Sequence, residues 1–204
     1  MNIVDSKLNF TTQLTKNNNT HENIIIHHAL AKKCTVYDIH RWHKDKGFIG
    51  IGYHFFIAKN GTIYKGRNLN WQGAHCAEDF MNIKSIGVCI EGCYEDYKNQ
   101  TDKNVPEVQL KALKKLVKYL MDVYNISIDK VKKHGDYAKY KLCPGNYFPW
   151  NDFVKQLEEY KMNKEDAGKI ISLLGTLYNF VISQTDKDEI HRLANELRKV
   201  SGQL

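Results

Sequence analysis

Ile24-Ile25-Ile26-His27-His28 is a β-branched run closed by two imidazoles. It is too short for a helix and reads as a buried strand. Alternation along a strand sends His27 and His28 to opposite faces, so only one of them can join a given site. Working outward, Thr35 to Lys46 reads as a helix, with Thr35 as N-cap, Asp38 in the first turn and Gly47 as the stop. Strands follow at about 52–58 and 62–65, joined by Asn60-Gly61, a pair that tolerates the positive φ of a tight hairpin. Ser85–Glu91 is a further strand. Pro106 suits the first turn of a helix running to about Asn125, with Leu110, Leu113, Leu116, Val117, Leu120 and Val123 inward. Val131–Lys133 is a short strand, and Trp150–Tyr160 a helix with Phe153, Val154 and Leu157 inward. Strands interleaved with helices predict an α/β domain over residues 1–160, a mixed central β-sheet flanked by helices.

The last part, residues 161–204, is different. Asn163 can cap a helix with apolar positions Ile170, Ile171, Leu174, Leu177, Tyr178 and Val181. Thr185 can cap a second, with Asp188 three residues on and the stripe Ile190, Leu193, Ala194, Leu197 and Val200; Gly202 marks its end. A small α-helical hairpin of this kind cannot bury both stripes alone. It must dock, pair with another copy as a homodimer, or hold a ligand.

The candidate chemistry lies in His134-Gly135-Asp136-Tyr137-Ala138-Lys139-Tyr140-Lys141-Leu142-Cys143-Pro144-Gly145. It puts a His and a Cys on one short irregular segment, with Lys141 two places before the Cys. Together with His27 these make two imidazoles and a thiolate, one ligand short of a closed zinc tetrahedron. Each residue alone has a plainer reading: His27 as a hydrogen-bonded core residue, His134 as a loop anchor, Cys143 as a buried thiol at a turn. The five Cys, at 34, 76, 89, 93 and 143, have no small-disulfide-domain spacing and read as reduced thiols.

The composition is that of an ordinary globular chain, 204 residues with 42% hydrophobic and 26% charged. A formal charge of +7 suits an acidic partner or simply a soluble surface. No stretch approaches the about 20 apolar residues of a membrane span. Met1 to Lys7 lacks the apolar core of a signal peptide, so synthesis in a cytosol is expected. No helix-turn-helix, zinc-finger or RNA-binding signature supports nucleic acid as the partner.

Five motifs occur in order: Ile24-Ile25-Ile26-His27-His28; Gly52-Tyr53-His54-Phe55; Gly73-Ala74-His75; Asn82-Ile83-Lys84-Ser85-Ile86-Gly87-Val88; and His134 with Lys141-Leu142-Cys143-Pro144-Gly145. Their succession closely resembles the zinc-dependent N-acetylmuramoyl-L-alanine amidases of the type-2 family, which includes phage endolysins, bacterial autolysins and animal peptidoglycan-recognition proteins. The resemblance covers nearly all of residues 1–160. It implies one Zn2+ per chain, held by His27, His134 and Cys143, with His27 chosen over His28. It also implies Tyr53 and Lys141 as catalytic groups, and His75 and Asn82 along the substrate groove. One position departs from the pattern: some relatives carry a catalytic Glu where this chain has Cys89. Glu91 lies two residues on and on the same face, where it reads as a strand-end carboxylate paired with a basic neighbour.

The implied function is that of a peptidoglycan hydrolase acting on a Gram-positive-type cell wall after release from the host cytoplasm. It would cleave the amide between the lactyl group of muramic acid and L-alanine. Residues 161–204 would then serve wall binding or dimerisation. The competing expectations are a non-catalytic peptidoglycan-binding protein of the same fold and a cysteine hydrolase using Cys143.

Overall fold

The computed structural model describes residues 1–12, 18–158 and 164–203. In chain order the elements are β1 (Ile3–Asp5), β2 (Asn23–His28), α1 (Val36–Asp45), β3 (Phe55–Ile57), β4 (Ile63–Lys65), α2 (Met81–Lys84), β5 (Ser85–Ile90), α3 (Glu107–Tyr124), β6 (Val131–Lys133), α4 (His134–Tyr137), α5 (Trp150–Glu158), α6 (Lys164–Tyr178) and α7 (Gln184–Val200). Six strands form one sheet in the order β1-β4-β3-β5-β2-β6. Only the β3–β4 hairpin is antiparallel, so the sheet is mixed. The expected fold class is the observed one.

The strand β2 sits between β5 and β6 and is buried along its whole length, which is why it reads as an unbroken apolar run. Its alternate residues Ile24 and Ile26 face Ile86, Val88 and Ile90 and the helices α3 and α5, through Leu113, Leu116, Leu120, Phe153 and Leu157. Removing each such side chain from water stabilises the fold by about 1.5–3 kcal/mol. The opposite face carries Ile25, His27, Gly87 and Cys89, covered by α1 and the site segments.

Local signals explain several boundaries. Asp38 N donates to Thr35 Oγ1 (3.2 Å) and Thr35 N to Asp38 Oδ2 (3.0 Å), a reciprocal cap that starts α1. Asn125, at φ 51°, ends α3 in the left-handed region that Asn tolerates.

Elsewhere the structure revises the expectations. Only Phe55–Ile57 of the 52–58 stretch pairs as a strand, because residues 52–54 turn toward the site. Pro106 is the N-cap of α3, one residue before its first turn. Val123 is 52% exposed, while Gln109 is fully buried, its amide donating to Ile57 O and Glu91 O (both 2.9 Å). The polar side chain goes inside because its amide adds a second donor to each of these strand-end carbonyls, which also accept Glu91 N and the Tyr94 hydroxyl. The strand β1, parallel to β4, and the turns over 78–84 carry too little periodicity to be anticipated.

The chain divides into two compact units, Met1–Glu158 and Glu159–Leu204. In the second, α6 and α7 pack on each other, with Ala167 and Ala194 buried and Tyr178 edge-on to His191 at 4.9 Å. The expected caps shift: α7 begins after Ser183, placing Thr185 inside it, where Gln184 Nε2 donates to Asp188 (2.8 Å). The expected cap Asn163 and the helix end Tyr160 lie outside the described residues. No described helix is long and apolar enough to cross a membrane.

Candidate metal centre

Register brings the site together. Ile26 pairs with Lys133, so His134, the next residue of that chain, arrives beside His27 with ring centroids 4.4 Å apart. Gly135 N then donates to Cys143 O (2.9 Å), folding the 141–143 backbone against the start of α4. A Cβ at Gly135 would lie 2.6 Å from Lys141 O, so only glycine allows that approach. The result is a trio, His27, His134 and Cys143, whose ligand atoms all lie within 4.8 Å of one another and whose side chains are all buried. His28 is turned away: its Nδ1 accepts from Tyr94 N (3.0 Å) and its Nε2 faces Glu95 at 3.4 Å. Its backbone N–H, however, points at Cys143 Sγ (3.4 Å).

The electrostatics suit metal donors. Burial, then the neighbouring His75, His134 and Lys141, hold His27 well below the usual imidazole range. Burial, then Lys141, brings His134 to about 4. Both are neutral at pH 7 and offer a lone pair. The Cys143 thiol is pushed up to about 12 by burial, so an apolar pocket alone does not ionise it. His134 Nε2 is buried with no hydrogen-bond partner among the described residues. An orphaned buried nitrogen of this kind is costly unless something occupies it. Two imidazoles and a thiol with an orphaned donor atom are the set that zinc accepts.

His27 is held from behind. Its Nε2 lies 3.1 Å from His75 Nδ1, and its Nδ1 3.9 Å from Cys143 Sγ. The His75 ring is clasped between two glycines: a Cβ at Gly87 would come within 2.4 Å of it, and one at Gly73 within 2.5 Å. This gives the Gly-Ala-His and Ile-Gly-Val motifs a steric reason. Asn82 Oδ1 accepts from His75 N (2.7 Å) and Cys76 N (2.9 Å), fixing the segment. His75 and Asn82 do line an open cavity of about 450 Å3, but His75 Nδ1 is committed to His27 and Asn82 Oδ1 to backbone N–H groups, while His75 Nε2 is buried without a hydrogen-bond partner among the described residues. His54 is an anchor: its Nδ1 accepts from Gly87 N and its Nε2 faces Trp71 O, both at 2.9 Å.

Tyr53 stacks beside His27, centroids 4.9 Å apart, with its hydroxyl by the Cys89 thiol. Burial and the surrounding thiols keep its phenol well above the usual range, so it stays protonated. Lys141 is exposed and lines both this cavity and a larger one of about 820 Å3 that also reaches His28, Tyr53, His134 and Cys143. Cys89 pairs directly with His27 across the sheet and is fully buried. Contrary to the expectation of a basic partner, Glu91 makes no ion pair with a side chain among the described residues. Its oxygens accept the backbone N–H groups of Cys34 (3.2 Å) and Lys59 (2.8 Å), while Lys59 Nζ bonds Asp102 (2.8 Å).

Sequence reasoning passed over Cys76 and Glu78, which approach His134 from the other side. Their one signal is a Cys and a carboxylate two residues apart directly after His75.

The family described as N-acetylmuramoyl-L-alanine amidase matches residues 17–146. The endolysin of Enterobacteria phage T3 is 36% identical over 128 residues, covering 61% of this chain and 81% of that protein. Among solved structures, the endolysin N-acetylmuramoyl-L-alanine amidase LysCS from Clostridium intestinale is 34% identical with a TM-score of 0.68, covering 77% of this chain and 95% of that one. Drosophila PGRP-LB shares the fold at 22% identity, with a TM-score of 0.59 over 78% of this chain and 94% of that one.

Proposed function

Since this chain belongs to the N-acetylmuramoyl-L-alanine amidase family and is a peptidoglycan hydrolase of that bond, we propose that His27, His134 and Cys143 hold one zinc ion for the reaction. The observation that carries this reading is the convergence of three buried donor atoms within 4.8 Å. Bound there, zinc supplies a Lewis acid that acidifies water and polarises the scissile carbonyl.

The chain's own groups do the rest. With His27 Nδ1 turned to the Cys143 side, Nε2 carries the ring proton and donates it to His75 Nδ1, which fixes tautomer and orientation. The His28 N–H stabilises negative charge on Cys143 Sγ. Lys141 Nζ, on an exposed side chain and 5.2 Å from the centroid of the Tyr140 ring, neutralises the oxyanion that develops when the amide carbon becomes tetrahedral. Tyr53, held protonated, donates a hydrogen bond at the edge of the site. No carboxylate stands at the Cys89 position, and Glu91 is occupied by backbone, so neither serves as general base.

The full set of two His and one Cys favours an enzyme over a binding protein of the same fold. The substrate is peptidoglycan of a Gram-positive-type wall, met after release from the host cytoplasm. Residues 1–160 act as the catalytic domain and the hairpin over 161–204 as a wall-binding or dimerisation region.

Chelation should abolish lysis of purified walls and added zinc restore it, with products bearing free L-alanine amino groups and no new reducing sugars. Lysis indifferent to chelator but blocked by thiol alkylation would transfer the chemistry to a cysteine hydrolase.

A further inference from the structure

On the groove side of His134 lies a second trio. Ligand atoms of Cys76, Glu78 and His134 also fall within 4.8 Å of one another. Cys76 and His134 are buried and Glu78 is half-buried, and all three line the cavity of about 450 Å3. The Cys76 thiol donates to Glu78 Oε2 (3.5 Å), so a single proton lies where a cation would sit between two donors. The remaining Glu78 oxygen is held by the Tyr140 hydroxyl (3.0 Å), and the Cys76 backbone by Asn82 Oδ1 (2.9 Å). The donors are therefore fixed in place before any ion arrives. The buried His134 Nε2, with no hydrogen-bond partner among the described residues, is open to a metal from this trio as well as from the first.

We propose that Cys76, Glu78 and His134 form a second divalent-metal position, suited to zinc, that is exclusive of the first because both require His134. Thiolate, carboxylate and imidazole are the donor types zinc takes. A neutral imidazole has one lone-pair nitrogen, so His134 holds one ion at a time. Binding breaks the Cys76 S–H bond, sends that proton to solvent and forms the sulfur–metal bond. Because the cavity of about 450 Å3 is lined by Cys76, Glu78 and His134 but not by His27 or Cys143, an ion entering through it meets the second position first. It then exchanges Cys76 and Glu78 for His27 and Cys143 while keeping His134. The position goes beyond the proposed catalytic centre: Cys76 and Glu78 take no part in that centre, and only His134 is shared.

The test is cobalt titration of the metal-free full chain, reading thiolate-to-cobalt charge-transfer absorption. Cys143→Ser should retain that absorption, displaced to higher cobalt concentration, and Cys143→Ser with Cys76→Ser should lose it. A folded Cys143→Ser chain with no such absorption, beside a wild type that binds cobalt, overturns the second position and leaves the first standing. A wild type that binds no cobalt overturns both. If circular dichroism shows Cys143→Ser unfolded, His27→Asn replaces it. Added Cys76→Ser must then abolish its absorption, and an unchanged spectrum counts against the proposal.

Discussion

The two faces of the central sheet are built on one alternating chain but do opposite work. On one, Ile24, Ile26, Ile86, Val88 and Ile90 close against α3 and α5, where the buried polar groups of Gln109 and Tyr94 are hydrogen-bonded to each other and to strand-end carbonyls. On the other, His27, Gly87 and Cys89 meet His75, Tyr53 and His134. The first face holds by area removed from water and tolerates exchanges that keep volume. The second is crowded with buried polar rings, each needing a partner, so an exchange there leaves a buried polar atom unsatisfied. Burial of the largely apolar face offsets the cost of holding those polar rings inside.

Acid should break the polar face first. His43, His54 and His134 are each brought down to about 4 by burial, against an ordinary 6.5. Between those values the unfolded chain binds more protons than the folded one, so stability is full above pH 6.5 and falls as pH drops toward 4. Thermal unfolding of the metal-free protein across this range should show a large, progressive loss. A flat profile would mean these rings are less buried than they stand here.

Lys141→Ala should reduce kcat by ~10²–10³ while the zinc content stays at one per chain. Loss of metal in that variant would place Lys141 among the structural supports of the trio. His75→Ala should weaken zinc about 10–100-fold, seen by competition with a chromogenic chelator, with kcat at saturating zinc nearly kept. An unchanged affinity would reduce His75 to packing. The smallest effect belongs to the apolar face: Ile26→Val should cost about 0.5–1.5 kcal/mol of stability in denaturant unfolding and leave zinc affinity alone. A change in affinity there would show that the two faces are mechanically coupled.

Much of this was legible in residue order. The runs at 24–28 and 85–90, the Thr35 cap, the Asn60-Gly61 hairpin and the long helix to Asn125 are local patterns, and they stand where the patterns put them. Val123 and Gln109 exchanged places because periodicity sees one helix, whereas burial depends on what lies across from it. Glu91 looked like half of an ion pair but caps two backbone N–H groups, a partnership that joins residues 32 and 57 positions away.

By itself the sequence determined the α/β class and the sheet-forming runs and offered His27, His134 and Cys143 as candidate donors, since apolar periodicity and side-chain chemistry are properties of the chain. Only the tertiary structure decided that Lys133 registers with Ile26 and so delivers His134 to His27, that His75 stands behind His27 in a slot between two glycines, and that Cys76 and Glu78 reach His134 from the groove. Each of these rests on distances between residues remote in the chain. The energy of a buried imidazole or thiol is set by what stands within a few ångströms of it, which no local pattern records.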